Sequence, residues 1–162
     1  MKKINAKRIR VIVVDFDGVL TDDKVYVDQE GREMVRCSRA DGLAFNILKG
    51  LNIKAFILST EKNPVVVCRA KKIGVPVVYG VSDKFKALKE LAKKHRFSLE
   101  HVLYVGNDLN DFDVMKACAF RACPNDAAKQ IKMIVNVHLK TRGGDGVIRE
   151  IISEVLGIGM LN

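Results

Sequence analysis

The fold is decided by the stretch Val11-Ile12-Val13-Val14-Asp15-Phe16-Asp17-Gly18-Val19-Leu20-Thr21. An apolar run typical of a buried strand ends at two carboxylates, Asp15 and Asp17, and Gly18 follows at once. Residues i and i+2 of a strand share a face, so the carboxylates would repel each other unless a cation lies between them or the backbone turns. Gly18 permits such a turn. The pattern indicates a divalent-cation site at a strand end, and a solvated turn is the alternative.

Short apolar runs alternate with amphipathic segments along the rest of the chain. We predict strands over residues 10–14, 53–58, 75–79, 102–105, 120–122 and 134–137. We predict helices over residues 41–49, 64–73, 83–95, 109–117, 127–132 and 146–156, with Ser82 as the cap of the third. This alternation is typical of a three-layer, doubly wound α/β fold with a parallel sheet, and we expect residues 1–162 to form one domain.

One segment departs from this alternation. Residues 24–37 alternate apolar and polar side chains around Glu30-Gly31, which predicts a protruding β-hairpin. Because an isolated two-stranded hairpin is only marginally stable in water, we expect it to pack against something, and a partner subunit is a good candidate.

Composition restricts the classes of protein that this chain can be. Its 162 residues are 48% hydrophobic and 29% charged, which is typical of a globular protein with a packed core. The four cysteines form no CxxC pair, so we expect free thiols in a reducing compartment. The sequence has no apolar run long enough to span a bilayer and no signal-type segment, so we expect a cytoplasmic protein with no membrane partner.

The formal net charge of +9 allows two interpretations. Nucleic-acid binding is one of them. The basic residues are scattered over predicted helix faces, however, and with 6% aromatic residues and no Trp the chain offers few side chains on which bases could stack. Solvated helix faces and a small anionic substrate explain the charge more simply, so we expect no nucleic-acid partner.

Two more strand ends carry groups suited to phosphate. Ser59 and Thr60 follow the predicted strand 53–58, and their hydroxyls could bind phosphate oxygens or only cap a helix. Lys84 lies in the first turn of the helix 83–95, where its charge opposes the helix dipole unless an anion lies nearby. A single such Lys is more often a surface residue.

A fourth strand end repeats the pattern of strand, turn and acid. Gly106-Asn107-Asp108-Leu109-Asn110-Asp111 follows the apolar strand 102–105 directly. Asp108 and Asp111 could cap a helix, but four polar groups in five residues exceed what a cap needs. Oxygen ligands from two strand ends, with positions left for water and phosphate, are typical of a magnesium site.

These residues, in this order and spacing, resemble the motifs of the haloacid dehalogenase superfamily of aspartate-nucleophile phosphotransferases. The matching residues are Asp15-Phe16-Asp17-Gly18-Val19-Leu20-Thr21-Asp22, Ser59, Lys84 and Gly106-Asn107-Asp108-Leu109-Asn110-Asp111. Within the superfamily the chain resembles a small branch without a cap domain, which includes phosphatases of eight- and nine-carbon keto sugar acids. The features shared with that branch are the hairpin, Arg39-Ala40-Asp41-Gly42, Gly80-Val81-Ser82-Asp83-Lys84 and the segment 142–150.

The resemblance implies a covalent route in which two carboxylates have different roles. Asp15 attacks phosphorus and forms an aspartyl-phosphate, and Asp17 protonates the leaving sugar oxygen and then activates water. Ser59, with Thr60 beside it, and Lys84 bind the phosphoryl oxygens and offset the charge that develops during transfer.

The resemblance also implies a bound Mg²⁺. Its ligands are the Asp15 carboxylate, the backbone carbonyl of Asp17 and a group from the loop after strand 102–105. Asn107 stands where the family often has an acid, so the loop ligand is Asn107 or Asp108. Asp111 is then expected to orient the ligands without binding the metal.

Among substrates the resemblance places 3-deoxy-D-manno-octulosonate 8-phosphate first and a sialic-acid-type nonulosonate 9-phosphate second. Thr60-Glu61-Lys62-Asn63 stands where the octulosonate enzymes often have Gly-Arg after the hydroxyl of the second motif. The sugar carboxylate would therefore need another cation, such as Lys62 or Arg69. The resemblance also implies a homotetramer, in which the hairpin or the tail 156–162 of a neighbouring subunit helps to wall the site.

Two other classes stay open as alternatives. Related domains occur as non-catalytic oligomerisation modules attached to sugar-activating enzymes, but this chain keeps Asp15, Asp17, Ser59 and Lys84, which favours the phosphatase. Receiver domains of signalling pairs also use an Asp, a hydroxyl and a Lys around magnesium. Their phosphorylated Asp follows a middle strand, whereas here the suitable acids follow the first strand and the strand 102–105.

Overall fold

The main sheet is parallel throughout, and its strand order is that of a doubly wound fold. A computed structural model describes residues 4–159, and within this range six strands form the main sheet. These strands are β1 (Val11–Val14), β4 (Lys54–Leu58), β5 (Val77–Val78), β6 (Val102–Val105), β7 (Phe120–Cys123) and β8 (Val137–His138). They pair in the order β5-β4-β1-β6-β7-β8. Because strand β1 lies between β4 and β6, the order reverses there, and the carboxyl ends of these three strands border the crevice where such folds bind ligands.

Helices cover both faces of the sheet. They are α1 (Arg39–Gly50), α2 (Val65–Ile73), α3 (Lys84–His95), α4 (Phe112–Ala117), α5 (Lys129–Ile134) and α6 (Val147–Glu150), with short 3₁₀ turns at Ala6–Arg8, Leu99–His101 and Leu109–Asp111. One core contains Ile12 and Val14 with buried residues of α1, α2 and α6, and the other contains Val11 and Val13 with buried residues of α3, α4 and α5. Alternate residues of β1 thus enter opposite cores, which gives the predicted three layers.

The predicted hairpin is present and stands apart from the main sheet. It consists of β2 (Thr21–Val27) and β3 (Glu33–Cys37), which pair only with each other as an antiparallel ribbon within residues 4–159. Four large apolar side chains of the hairpin are exposed, namely Val25, Tyr26, Val27 and Met34. The described residues between β1 and α1 therefore form a hairpin rather than a cap domain.

Three predicted element boundaries were wrong for local reasons. The strand predicted over 75–79 contains only Val77–Val78, because it lies at the sheet edge and pairs only with the last two residues of β4. The strand predicted over 134–137 begins at Val137, because Ile134 belongs to α5. The cap of α3 is Asp83 rather than Ser82, since the Asp83 carboxylate accepts the Lys86 backbone N–H at 2.9 Å.

The last predicted helix changes its winding partway along. Residues 147–150 are α-helical, whereas Ile151–Val155 is π-helical, and the Leu156 N–H donates to the Ile151 carbonyl. The Ser153 hydroxyl donates to the backbone carbonyls of Arg149 and Glu150 at 3.4 and 3.2 Å, a competition for carbonyls that accompanies distorted helices. Of the predicted tail 156–162, residues 160–162 lie outside the described range. No helix within residues 4–159 has the length and apolar character to cross a membrane.

A buried carboxylate joins α1 to α6. The Asp41 side chain accepts the backbone N–H groups of Ile148 and Arg149 at 2.8 and 3.2 Å, while its second oxygen has no partner among the described residues. Burial raises the pKa of Asp41 to about 6, because these two N–H groups compensate only in part.

We expect the variant Asp41→Asn to be more stable than the wild type at pH 8 and nearly equal to it at pH 4. An acid whose pKa is higher in the folded protein contributes stability that is full below its unfolded pKa and is lost as the pH rises through its folded pKa. The difference in the free energy of unfolding should therefore grow between pH 4 and 6 to about 1–3 kcal/mol. Urea unfolding at both pH values measures it, and a difference that does not change with pH contradicts this account.

Candidate active site

A small acidic cavity lies at the carboxyl ends of β1, β4 and β6. Its volume is ≈ 260 Å³, and it is lined by Asp15, Asp17, Asp23, Thr60, Asn107, Asp108, Leu109 and Asn110. Five of the residues predicted for the site are thus brought together from three strand ends. The other three predicted residues, Ser59, Lys84 and Asp111, are buried, and Lys84 contacts the cavity-lining Asp15.

Asp15 is fixed at the end of β1 by its own backbone. Its N–H donates to the Val105 carbonyl at 2.9 Å and so extends the pairing of β1 with β6 by one residue. One carboxylate oxygen accepts the Phe16 N–H at 2.7 Å, and the other lies 2.7 Å from Lys84 Nζ. Both oxygens of Asp15 are therefore oriented before any substrate binds.

The turn after β1 brings the second carboxylate back toward the first. Gly18 has φ +72°, which favours glycine, and its N–H donates to Thr21 Oγ at 3.2 Å. The Thr21 hydroxyl in turn donates to Asp17 Oδ1 at 3.3 Å. Burial, and next the negative charge of Glu61, raise the pKa of Asp17, which favours the protonated form that a general acid needs.

Gly18 also leaves the space that Asn107 fills. A Cβ on Gly18 would lie 1.8 Å from Asn107 Nδ2, so the variant Gly18→Ala must displace the Asn107 amide. For the Mg²⁺ that the family resemblance implies, we expect the concentration for half-maximal turnover of a phosphomonoester to rise at least about tenfold, as is typical when metal-site groups are disturbed. A Mg²⁺ titration of that turnover measures this.

Gly31→Ala is the matched control for Gly18→Ala. Gly31 has φ +76°, so the backbone strain is the same, but a Cβ there has no described atom within 4 Å. If both variants need the same concentration of Mg²⁺ as the wild type, Asn107 has no part in the metal site.

Lys84 lies between two buried carboxylates. Its Nζ is 2.7 Å from Asp15 Oδ2 and 2.7 Å from Asp111 Oδ1, and all three side chains are almost wholly buried. Burial alone would lower the pKa of Lys84, but the two carboxylates outweigh it and raise the pKa. Burial and the charge of Asp111 raise the pKa of Asp15 despite Lys84, so the negative charge of this site is not fully compensated by protein groups.

Asp111 connects the loop after β6 to this ion pair. Its Oδ1 accepts the Tyr104 hydroxyl at 2.9 Å as well as Lys84, and its Oδ2 accepts the Asn107 N–H at 3.0 Å. Asp111 is fully buried and is not part of the cavity lining, so its carboxylate contacts protein groups only among the described residues. Tyr104 was missed in the sequence, because a Tyr within an apolar strand gives no sign of where its hydroxyl points.

The cavity fits a divalent cation that takes oxygen ligands. Asn107 Oδ1 is buried and has no hydrogen-bond partner among the described residues, and Asn107 shares the cavity with Asp15. Asp108 is exposed, and its carboxylate accepts the Leu109 N–H at 2.7 Å. Residues 4–159 hold no cluster of three or more His, Cys, Asp or Glu residues placed to bind a metal, so any site here combines carboxylate with amide and carbonyl oxygens.

The two hydroxyls that follow β4 have different surroundings. Ser59 is buried, and its Oγ accepts the Glu61 N–H at 3.0 Å, which leaves the Ser59 O–H to donate to another group. Thr60 lines the cavity, where its hydroxyl accepts from Asn110 Nδ2 at 3.4 Å. Neither Lys62 nor Arg69 lies in the cavity lining: Lys62 is exposed, and Arg69 donates to the Ser38 carbonyl at 2.7 Å.

Asp23 is a further acid that the sequence did not single out. It lines the cavity and has φ +62°, a conformation that is uncommon for residues other than glycine. Burial and the charges of Asp108 and Asp126 raise its pKa. Asp23 lies where the pairing of β2 with β3 is irregular, between Thr21 and Val25, and such irregularities are hard to foresee from an alternating pattern.

The fold and this set of residues define a class of hydrolase. A model of the haloacid dehalogenase-like hydrolase family matches residues 49–151. The chain belongs to the haloacid dehalogenase-like hydrolases, and within them it is a phosphatase.

Two relatives found by sequence are phosphatases of one sugar phosphate. The chain is 30% identical over 152 residues to 3-deoxy-D-manno-octulosonate 8-phosphate phosphatase KdsC of Escherichia coli K12. The match covers 93% of this chain and 81% of that protein. KdsC of Haemophilus influenzae is 29% identical over 151 residues, which is 93% of this chain and 84% of that protein.

Solved structures agree with these sequence relatives. A protein assigned to the HAD hydrolase family from Streptomyces avermitilis has a TM-score of 0.91 and 40% identity, and the match covers 96% of this chain and 89% of that one. The 3-deoxy-D-manno-octulosonate 8-phosphate phosphatase of Moraxella catarrhalis, in complex with a magnesium ion, a phosphate ion and KDO, has a TM-score of 0.89 and 30% identity over 94% of this chain and 88% of that one.

Proposed function

We propose that this phosphatase hydrolyses 3-deoxy-D-manno-octulosonate 8-phosphate through an aspartyl-phosphate on Asp15, with Mg²⁺ bound. The observation that carries the mechanism is the contact of Lys84 Nζ with Asp15 Oδ2 at 2.7 Å, on the wall of a cavity that Asp17 and Asn107 also line. The substrate is supported by the octulosonate 8-phosphate phosphatases to which most of the chain is similar.

The two carboxylates that follow β1 have separate roles. Asp15, held by Phe16 and Lys84, attacks phosphorus. Asp17, whose pKa is raised by burial and by Glu61, donates a proton to the leaving oxygen and then accepts one from water. Lys84, Thr60 and Ser59 bind phosphoryl oxygens and compensate the charge that develops in transfer; Ser59 Oγ can donate its hydrogen while it accepts the Glu61 N–H.

Mg²⁺ fits the oxygen atoms around the cavity. Asp15, the backbone carbonyl of Asp17 and Asn107 would hold it, and the unpartnered Asn107 Oδ1 makes Asn107 a better ligand than Asp108. When bound, Mg²⁺ neutralises charge on the phosphoryl group. Burial and the charge of Asp111 raise the pKa of Asp15 and so disfavour its charged form, which a further cation beside this carboxylate would favour.

We expect the sugar acid to bind groups outside the cavity of one subunit as well. The cavity lining contains four carboxylates and, among the residues the structure describes, no cation that could pair with a sugar carboxylate. A homotetramer would supply one from a neighbouring subunit. The exposed Val25, Tyr26, Val27 and Met34 of the hairpin favour such an assembly, because apolar faces of this kind are usually covered.

A nonulosonate 9-phosphate is the second candidate substrate. Glu61 accepts the backbone N–H groups of both Lys62 and Asn63 at 2.6 Å, so Thr60-Glu61-Lys62-Asn63 forms a closed turn where octulosonate enzymes often carry Gly-Arg.

The buried Lys84 between Asp15 and Asp111 disfavours the non-catalytic oligomerisation module. Burial of these charges costs free energy, and apolar residues would serve a purely structural domain at least as well.

A phosphate-release assay over three substrates tests the proposal. 3-Deoxy-D-manno-octulosonate 8-phosphate, a nonulosonate 9-phosphate and p-nitrophenyl phosphate are compared, each with and without Mg²⁺. We expect the octulosonate to have the highest kcat/KM and turnover to need Mg²⁺. If kcat/KM is highest for the nonulosonate, the second substrate replaces the first. If no ester is turned over, the protein is a non-catalytic oligomerisation module and not a phosphatase of these substrates.

A further inference from the structure

Tyr104 lies in the middle strand β6 with its whole side chain buried. It belongs to the core formed with α3, α4 and α5, among residues such as Leu88, Val114 and Met115. Its hydroxyl donates to Asp111 Oδ1 at 2.9 Å. A phenol hydroxyl in an apolar core costs free energy unless it is hydrogen-bonded, so packing alone would be served better by Phe.

The acceptor of that hydrogen bond is the oxygen that also binds Lys84. Asp111 Oδ1 lies 2.7 Å from Lys84 Nζ, and Lys84 is equally close to Asp15 Oδ2. Asp111 and Asp15 therefore compete for one buried ammonium group. The Tyr104 hydroxyl is a second hydrogen-bond donor to Asp111 Oδ1. It stabilises the negative charge of Asp111, so the attraction between Asp111 and Lys84 is weaker than it would be without Tyr104.

We propose that Tyr104 is a positioning residue of the phosphatase reaction, whose hydroxyl keeps Lys84 available to Asp15 and to the phosphoryl group. The inference rests on the function proposed above for Asp15 and Lys84. Tyr104 is not part of the lining of the cavity that contains Asp15 and Asn107. Its hydroxyl is connected to these residues through Asp111.

The variant Tyr104→Phe removes this one oxygen and keeps the ring. Asp111 Oδ1 then has Lys84 as its only donor among the described side chains, so Lys84 is held more tightly on that side. We expect the inhibition constant of inorganic phosphate and the KM for p-nitrophenyl phosphate each to rise about tenfold, the ratio that corresponds to one lost hydrogen bond of ordinary strength. Calorimetric titration with phosphate in the presence of Mg²⁺ should show the same loss of affinity without turnover.

Leu103→Val is the matched control in the same strand. Leu103 is equally buried but belongs to the opposite core, and shortening it loosens β6 without removing a hydrogen bond. A purely structural role for Tyr104 would lower the Tm and the active fraction in both variants and would leave phosphate affinity unchanged in both. We expect phosphate affinity to fall only in Tyr104→Phe.

A double variant tests whether Tyr104 acts through Asp111. Once Asp111→Asn is present, adding Tyr104→Phe should change phosphate affinity by less than about twofold, because the competing carboxylate is already gone. Additive losses, or a Tyr104→Phe variant that binds phosphate as the wild type does, overturn the inference and leave the proposed function intact. A wild-type protein that binds no phosphate overturns both.

Discussion

Replacing Asp15 by Asn is expected to lower the turnover of any phosphomonoester by at least about 10⁴-fold, because the amide cannot attack phosphorus. The fold should survive the change. The Asn oxygen can still accept the Phe16 N–H, and Lys84 keeps Asp111 as a charged partner at 2.7 Å. Burial and the charge of Asp111 raise the pKa of Asp15, so loss of its negative charge also removes a cost. Phosphate release over hours, measured beside circular dichroism and thermal unfolding, reports both properties.

Asp113→Asn is the control for the loss of a carboxylate. Asp113 is exposed on α4, outside the lining of the acidic cavity, so its amide variant should retain wild-type turnover. Activity in Asp15→Asn above about a hundredth of the wild-type rate would contradict a nucleophilic role for Asp15, since removing a nucleophile has a far larger effect.

Replacing Lys84 by Met is expected to reduce both activity and stability. Without the ammonium group, Asp15 and Asp111 are two buried carboxylates with no cation between them. Removing one partner from a buried ion pair costs about 3–5 kcal/mol of unfolding free energy. Loss of a charge that stabilises phosphoryl transfer should lower kcat/KM by roughly 10²–10³-fold.

The exposed Lys86 provides the comparison on the same helix. Lys86→Met also removes a positive charge from the first turns of α3 but breaks no buried pair, so stability and kcat/KM should change little. Equal stability of Lys84→Met and Lys86→Met in urea would show that the ion pair at Asp15 does not form in solution.

Much of the site could be predicted because its residues follow strand ends. The apolar run 11–14 ends directly before Asp15, and the run 102–105 ends directly before the loop with Asn107. Parallel strands that are neighbours in the sheet bring their carboxyl ends to one edge, so position along the chain was enough to place these groups together. The hairpin could also be predicted, because an alternation of apolar and polar residues is a local pattern.

What the sequence did not provide is the direction of single polar groups. The Ser59 Oγ accepts an N–H of its own loop, and the Tyr104 hydroxyl donates to Asp111, seven residues further along the chain, inside a core. Asp23 lines the cavity from a segment where the pairing of β2 with β3 is irregular. Each of these outcomes depends on side-chain rotamers and on contacts between elements, which local periodicity does not encode.

The glycine-containing loop over residues 141–146 packs closely on the turn after β1. The Gly144 N–H donates to the Val19 carbonyl at 3.0 Å, and a Cβ on Gly143 would lie 2.2 Å from the Gly18 carbonyl oxygen. Backbones approach this closely only where a side chain is absent. A run of glycines near a sheet end can therefore mark close packing as well as mobility.

The central claim is that Asp15 becomes phosphorylated during turnover. Rapid mixing with 3-deoxy-D-manno-octulosonate 8-phosphate and Mg²⁺, acid quenching and mass spectrometry of the peptides test it directly. We expect one phosphoryl group on the peptide that contains Asp15, at the level of a reaction intermediate, and none in Asp15→Asn. Steady release of phosphate with no phosphoryl group on that peptide, or with the group on another residue, would contradict it.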